Sequence, residues 1–434
     1  MLKPRMTEVE NHMERNEMTY SLQCLFSGDT VSDAYTLVHH QEGLLRAVYP
    51  EGKLSVSEHM HGIWRYVDWL PVSGPSNLVA GTISYKSENL AAELGLSELW
   101  ITYHGYWPER GGLCPTTSFK DLEAVATLQR LQDHGCKGMV CASAGNTARS
   151  FTYFGGEEGF PILVIIAEQH LTRVWVPENH PTDSVTIIGI SDGAGYNDAI
   201  NIANEVAEKI GWQIEGGARN IARRDGIGSL IIDASVNIGR LPDHYFQAVG
   251  GGPGPIGVHE MAVRAHESGT FSGPITKQHL SQNIEHCPIY NAWQAGRNYL
   301  LAEDFADSAT PVFSDYLVNT APAYSVKGGL FDVLTESNGL TWIVTRDEGL
   351  AAAKLFEETE GIDIMTPGAV ALASLKKAVE SGDVEVDDCV VLNISGGGEK
   401  RLFREVQTTI VLPEIIVPKE QAVEAIIDFL ATKE

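Results

Sequence analysis

Gly138-Met139-Val140-Cys141-Ala142, followed directly by Ser143-Ala144-Gly145-Asn146-Thr147, sets the architecture of this chain. A short apolar run, typical of a buried strand, passes through small residues into a segment with helical spacing. The same alternation continues on both sides, which predicts strands at 99–103, 162–167, 185–190 and 230–232 and helices at 90–96, 119–133 and 198–210. Strands of about five residues that alternate with helices of about twelve indicate βαβ units and parallel sheets.

A second set of elements follows in the C-terminal half of the chain. The pattern predicts strands at 340–344 and 388–394 and helices at 256–266, 350–358, 369–381 and 420–431. The two sets together predict an α/β fold of two open lobes, each a parallel or mixed sheet with helices on both faces. A ligand cleft is expected between the lobes, at the C-terminal ends of the strands.

The composition is globular, with a strong acidic excess. The 434 residues include 31 Lys and Arg against 57 Asp and Glu, a formal net charge of −26 at pH 7. Because nucleic-acid phosphates are neutralised by clustered cations, this balance argues against nucleic-acid binding. The 43 glycines exceed the usual share of about 7% and are clustered, which predicts loops built from backbone.

The sequence gives no sign of a membrane or secreted protein. No apolar run approaches the roughly 18 residues that span a bilayer, and residues 1–20 lack the apolar region of a signal peptide. The six cysteines are scattered and none has C-x-x-C spacing, which is typical of reduced thiols. We therefore expect a cytoplasmic protein with no membrane partner and no bound metal.

Four stretches could carry chemistry, and the first is Cys114-Pro115-Thr116-Thr117-Ser118-Phe119-Lys120-Asp121. It predicts a turn into a helix with Ser118 or Thr117 as the N-cap, which places Lys120 in the first helical turn. The helix dipole disfavours a cation there, so it lowers the pKa of the lysine and favours the neutral, nucleophilic amine. An ordinary surface lysine fits the same pattern.

The second stretch is the loop after the strand at 138–142, residues 141–149, which we call the asparagine loop. Its small residues let a ligand approach the backbone, and the following helix start offers N–H groups to an anion such as a substrate carboxylate. An ordinary capped turn is the alternative.

The third and fourth stretches are rich in glycine. Gly250-Gly251-Gly252-Pro253-Gly254 lies between a strand-like run and a helix, and such N–H nests hold phosphate, although a flexible loop is the alternative. It lacks the Lys-Ser/Thr ending of a P-loop, which argues against a nucleoside triphosphate. Ser395 ends a buried strand before three glycines, so its hydroxyl could face the cleft or simply end the strand.

Two rival sites have weaker support. Gly189-Ile190-Ser191-Asp192-Gly193 matches the nucleophile elbow of serine hydrolases, with Asp233 and His259 or His266 as distant partners. Cys24 with His39 and His40 falls short of the four ligands that a zinc site usually needs.

Together the four stretches resemble the threonine synthase-like group of fold-type II pyridoxal-phosphate enzymes, in order and spacing across roughly residues 85–400. Thr116–Asp121 is similar to the motif that carries the cofactor lysine. Within the group, residues 215–225, 241–247 and 360–363 resemble the cysteate synthase family. Two features depart from the group: the prolines in the glycine-rich stretch are unusual, and only Cys24 remains where relatives often carry a cysteine-pair ribbon.

The resemblance implies a tryptophan synthase β-like architecture and pyridoxal 5'-phosphate as cofactor. Lys120 would hold the cofactor and act as the catalytic base. The remaining cofactor contacts would come from Asn146 at the ring oxygen, Gly251, Gly252 and Gly254 at the phosphate, and Ser395 at the ring nitrogen. The substrate carboxylate would bind at Ser143, Ala144, Gly145 and Thr147.

The implied reaction is a β-replacement that converts O-phospho-L-serine and sulfite into L-cysteate and phosphate through an aminoacrylate, in coenzyme M biosynthesis. Threonine synthesis from O-phosphohomoserine, or another nucleophile acting on phosphoserine, stays open. A non-catalytic sensor is disfavoured because Lys120 and Ser395 are both present. Phosphate and sulfite are oxyanions that suit an arginine fork, and Arg149 is the preferred candidate ahead of Arg219, Arg223 and Arg224.

The resemblance also predicts the domain organisation. Residues 1–20 form a tail and 21–80 an N-terminal extension on the large lobe. Residues 81–121 and 241–434 form the large cofactor-binding domain, and 122–240 form the small domain with the asparagine loop. A homodimer is expected by analogy with relatives.

Overall fold

The computed structural model describes residues 19–50, 52–143, 145–305 and 311–433, so most of the predicted tail lies outside the described residues. The strands are β1 (Ser21–Cys24), β2 (Thr30–Val31), β3 (Leu45–Val48), β4 (Ile83–Lys86), β5 (Glu98–Gly105), β6 (Met139–Ala142), β7 (Ile162–Ala167), β8 (Trp175–Pro177), β9 (Val185–Ile190), β10 (Gln213–Ile214), β11 (His244–Ala248), β12 (Lys277–Asn283), β13 (Leu340–Val344), β14 (Cys389–Gly397), β15 (Thr408–Ile410) and β16 (Ile415–Val417).

Twelve α-helices lie within the described ranges. They are α1 (Asn89–Leu94), α2 (Lys120–Asp133), α3 (Asn146–Glu158), α4 (Tyr196–Ile210), α5 (Ile221–Ile238), α6 (Pro253–Glu267), α7 (Pro288–Gln294), α8 (Leu330–Glu336), α9 (Arg346–Glu360), α10 (Thr366–Ser381), α11 (Glu399–Glu405) and α12 (Ala422–Ala431).

Two large sheets carry the architecture. The six-stranded sheet has the order β13-β12-β11-β14-β5-β4 and is parallel except at the β4–β5 pair. The five-stranded sheet has the order β10-β6-β7-β9-β16 and is parallel throughout. Strands buried on both faces explain runs such as Ile162–Ala167, all six residues of which are buried. The predicted α/β class with parallel and mixed sheets is confirmed.

The N-terminal region is more regular than its sequence suggests. Strands β1 to β3 form an antiparallel sheet in the order β2-β1-β3. A 3-10 segment at Gly62–Trp69 follows, with Ile63, Trp64, Tyr66 and Trp69 buried. These side chains share a hydrophobic core with residues of α2 and α5. Strands of two to four residues are too short to show a clear alternation, which is why the sequence looked irregular here.

The strand predicted at 230–232 is wrong, because these residues lie inside α5. Helix α5 is buried from Ile221 to Ser235. A helix that is buried on all sides does not display the polar face that reveals a helical period. Leu230, Ile231 and Ile232 therefore have the sequence appearance of a short buried strand.

The C-terminal segment also departs from the predicted domain boundaries, which gave residues 241–434 to the large domain. Strand β16 pairs with β9 at the edge of the five-stranded sheet, and β15 pairs with β8. Ile426 of α12 packs in the same core as side chains of α4. The chain thus returns after β14 to cover a sheet edge that would otherwise leave unpaired backbone groups. None of the described helices is both long and apolar enough to cross a membrane.

Candidate active site

A cavity of about 560 Å³ lies where the C-terminal ends of β6, β11 and β14 converge. Its wall brings together most of the residues that the sequence singled out: Lys120, Ser143, Gly145, Asn146, Thr147, Gly251, Gly252, Gly254 and Ser395. The volume falls within the range of about 300–1,000 Å³ that is usual for small-molecule sites. Arg149 is not part of the wall, and Ala144 lies outside the described residues.

The turn that carries Lys120 is hydrogen-bonded to the end of β14. The Phe119 N–H donates to the Ser395 carbonyl at 2.9 Å, and the Gly397 N–H donates to the Thr117 carbonyl at 3.2 Å. Thr117 has a φ of 61°, a left-handed conformation that is unusual for a β-branched residue. These contacts bring the start of α2 next to Ser395.

A buried carboxylate, missed by the sequence reasoning, stabilises this turn. Asp121 accepts hydrogen bonds from the Thr116 N–H at 3.0 Å, from the Ser150 hydroxyl at 2.6 Å and from the Thr116 hydroxyl. Burial raises the pKa of Asp121 to about 6, although these donors act in the opposite direction. Asp121 therefore joins the lysine turn to α3.

Helix α2 begins at Lys120, so this residue lies in the first helical turn as the sequence predicted. However, Phe119 rather than Ser118 or Thr117 is the N-cap, and the Ser118 hydroxyl accepts from the Lys120 N–H at 3.3 Å. The amine lies 3.1 Å from a carboxylate oxygen of Glu123 and 4.8 Å from the centre of the Phe119 ring. The pKa of Lys120 is lowered, first by burial and then by the positive charge of Arg223. The sequence predicted a lowered pKa for Lys120 from the helix dipole. The direction in the structure is the same, but its causes are burial and a neighbouring charge.

The asparagine loop is held in shape by its own side chains. The Ser143 hydroxyl oxygen accepts from the N–H groups of Gly145 and Ala148, each at 3.1 Å, and so caps α3. Asn146 accepts from the Arg149 guanidinium at 3.0 Å.

Arg149 is held by protein side chains outside the cavity wall. It is 1% exposed, pairs with Glu399 at 3.2 Å and lies 4.5 Å above the Trp175 ring. The structure instead places Arg219 and Arg223 in the cavity wall. A helical side chain points to one side only, and that side cannot be read from a single arginine in the sequence.

The two cavity arginines differ in their partners. Arg219 donates to the carbonyl oxygens of Gln41 at 2.8 Å and Gly43 at 3.5 Å. Arg223 pairs with Glu123 at 2.9 Å and with Glu215 at 2.7 Å. Arg224, the third candidate, is buried against Glu260 at 3.0 Å.

The glycine-rich stretch forms a cradle without side chains at the start of α6. Gly252 has a φ of 102°, and a Cβ there would come within 2.9 Å of Leu330. Pro253 is the first residue of α6, where the missing N–H removes no intrahelical bond. The N–H groups of a helix start favour an anion. The cradle, the lysine and the cavity volume therefore fit pyridoxal phosphate.

The rival hydrolase residues do not come together. Asp233 bonds Tyr66 at 2.5 Å and Arg65 at 3.2 Å, while His259 bonds Glu336 at 2.9 Å. None of Ser191, Asp233, His259 and His266 lines the cavity. Cys24 is buried, and His39 pairs with Asp29.

The fold and this site define a class, the fold-type II pyridoxal-phosphate enzymes. A family described as pyridoxal-phosphate dependent enzyme matches residues 76–396. Two solved structures share the fold. Maize serine racemase has a TM-score of 0.55 and 17% identity over 74% of this chain and 90% of that one. A threonine deaminase has a TM-score of 0.53 and 19% identity over 73% of this chain and 92% of that one.

Curated relatives are more similar. The cysteate synthase of Methanosarcina acetivorans is 46% identical over 92% of this chain and 96% of its own length, and that of Methanocella arvoryzae is 44% identical over the same shares. The chain belongs to the cysteate synthase family of pyridoxal-phosphate dependent enzymes. The predicted family, enzyme class and cofactor are therefore confirmed.

Proposed function

We propose that this enzyme catalyses the β-replacement of O-phospho-L-serine by sulfite, giving L-cysteate and phosphate, with Lys120 as the catalytic lysine. The observation that carries the proposal is the convergence of Lys120, the glycine cradle, Ser395 and two arginines on one cavity of a cysteate synthase family member.

The charges of the cavity wall support an oxyanion substrate. The chain as a whole has a formal net charge of −26, yet Arg219 and Arg223 both line this cavity. Arg223 is paired with Glu123 and Glu215. The bonds of Arg219 within the described residues go to backbone carbonyl oxygens, so it supplies a positive charge that no carboxylate of these residues offsets. A cation in the wall of an acidic protein attracts a small anion to that position. Arginine can bind phosphate or sulfite through two parallel N–H bonds. We assign Arg219 and Arg223, rather than Arg149, to the leaving phosphate and the entering sulfite.

Asn146, Gly251, Gly252, Gly254 and Ser395 would hold the cofactor together with Lys120. When bound, pyridoxal phosphate supplies an electron sink for negative charge at the amino acid's Cα. Ser395 is neutral, so it does not keep a ring nitrogen protonated as an aspartate would. This favours rapid loss of a leaving group from Cβ over transfer of the amino group.

Lys120 is suited to move the α-proton. The lowered pKa of its half-buried amine favours the neutral form that accepts a proton from Cα and later returns it. Ser143, Gly145 and Thr147 would bind the substrate carboxylate at the start of α3. The hydrogen bond from the Phe119 N–H to the Ser395 carbonyl holds the Lys120 turn next to Ser395, where the cofactor ring would lie.

A paired assay tests this proposal. The enzyme is given O-phosphoserine with and without sulfite, and separately O-phosphohomoserine, while phosphate and the amino-acid product are measured. We expect cysteate only from phosphoserine with sulfite. Threonine from phosphohomoserine would support the alternative, a threonine synthase. Phosphate release that does not depend on sulfite and yields a different β-substituted amino acid would indicate another nucleophile. A cytoplasmic location and a homodimer stay predictions.

A further inference from the structure

Glu123 binds two cations of the site with a single carboxylate oxygen. Its Oε2 lies 3.1 Å from the Lys120 amine and 2.9 Å from the Arg223 guanidinium. The other oxygen accepts from the Thr147 hydroxyl at 3.2 Å. Glu123 is fully buried and lies three residues after Lys120, on the same face of α2. This three-residue spacing of Lys120 and Glu123 is visible in the sequence.

Few other titratable groups among the described residues face this pair. Beyond Arg223 lies Glu215, 2.7 Å from the guanidinium. On the β6 side lies Cys141, and burial raises the pKa of its thiol well above the usual range, so the thiol stays uncharged. With a protonated lysine, the two cations balance the two carboxylates. When the amine loses its proton, the cluster carries one net negative charge in a buried place, which is unfavourable.

The geometry therefore links the amine's proton to Glu123. We propose that Glu123 is a positioning residue that holds the free amine of Lys120 at the cavity wall and sets the pH at which that amine gives up its proton. The inference rests on the proposed role of Lys120 as the cofactor lysine, but not on the identity of the amino-acid substrate or the nucleophile.

The test measures how fast the cofactor-free enzyme takes up pyridoxal phosphate at different pH values. Uptake requires the neutral amine, so the midpoint of the rate-against-pH curve reports the proton affinity of Lys120. Glu123→Gln keeps the size of the side chain and removes its charge. An opposite charge at this distance typically changes a pKa by about 1–3, so we expect the midpoint to fall by about one pH unit or more. At pH values below both midpoints, uptake should be about tenfold faster for each pH unit by which the midpoint falls.

The matched control is Glu260→Gln, which alters another buried, arginine-paired carboxylate away from the cavity. We expect its midpoint to equal that of the wild type. A Glu123→Gln curve that superimposes on the wild type or moves to higher pH would overturn the proposal. If Glu123→Gln does not fold, Glu123→Asp decides, because it retracts the charge by one methylene. A fall in the Glu123→Asp midpoint that is smaller than the one expected for Glu123→Gln supports the role of Glu123, and a curve equal to that of the wild type refutes it.

Lys120→Ala separates this inference from the assignment beneath it. If that variant still develops the visible cofactor band, the proposed role of Lys120 fails. If it develops no band and the Glu123→Gln curve equals that of the wild type, only the role of Glu123 fails.

Discussion

Replacing Arg219 by Met should lower the enzyme's apparent affinity for sulfite without leaving a buried carboxylate unpaired. Arg219 lines the cavity, and its bonds within the described residues go to two backbone carbonyl oxygens, those of Gln41 and Gly43. Arg223, by contrast, also neutralises Glu123 and Glu215. Arg219 is therefore the cleaner position at which to remove a positive charge from the cavity wall.

The size of the effect follows from the type of bond lost. A hydrogen bond to a charged group contributes about 1.5–3 kcal/mol, which corresponds to about 10- to 150-fold in affinity. We expect the sulfite concentration for half-maximal cysteate formation to rise by that factor in Arg219→Met. Arg219→Lys keeps the charge but loses the fork, so its loss should be smaller.

The assay is initial-rate cysteate formation at saturating phosphoserine across a sulfite series. Arg346→Met is the matched control, because Arg346 is exposed and also donates to a backbone carbonyl, that of Val312 at 3.1 Å. Thermal melts of all variants check that the fold is kept, because Arg219 also binds the N-terminal segment through the carbonyl oxygens of Gln41 and Gly43. A sulfite dependence in folded Arg219→Met equal to that of the wild type would refute the role of Arg219.

Three further variants probe the cofactor site and its support. Ser395→Asp should increase amino-group transfer relative to β-replacement, because a carboxylate favours a protonated ring nitrogen; an unchanged product ratio would contradict this. Gly252→Ala should weaken cofactor binding at least about tenfold in a loading titration, since a φ of 102° is strained for any residue with a Cβ and the new methyl group would also displace the Leu330 side chain, 2.9 Å away; wild-type affinity would contradict it. Burial raises the pKa of Asp121 from 3.8 to about 6 in the folded protein. Its contribution to the free energy of unfolding is therefore fully present below about pH 4 and decreases by about 3 kcal/mol as the pH rises through 6. Asp121→Asn should flatten this part of the pH dependence of the free energy of unfolding, measured by urea unfolding of the cofactor-loaded enzyme. Parallel curves of unfolding free energy against pH for the variant and the wild type would disprove the raised pKa of Asp121.

The sequence predicted the parallel-sheet framework because its strands are short, apolar and separated by amphipathic helices. The strand predicted at 162–167 matches β7, and the helix predicted at 119–133 differs from α2 by one residue. The same reasoning failed in α5, since Leu230–Ile232 has no polar face to mark a helix. It also failed at β16, because the partner of an edge strand is fixed by long-range packing.

The candidate site was predictable where function depends on backbone shape and less so where it depends on side-chain direction. Lys120, Asn146 and Ser395 are at chain positions set by loops between strands and helices, and all of them line the cavity. Arg149 follows the same loop but points away to Glu399 and Trp175. Only the packed structure shows that Arg219 reaches the cavity instead.

Chemical attachment of the cofactor to its lysine is the decisive measurement for the proposed role of Lys120. Borohydride treatment of the yellow holoenzyme fixes pyridoxal phosphate onto the amine that holds it, and peptide mass mapping then locates the added mass. We predict loss of the visible band and a single modified site at Lys120. Modification at another lysine, with Lys120 unlabelled, would contradict the assignment of this cavity as the cofactor site.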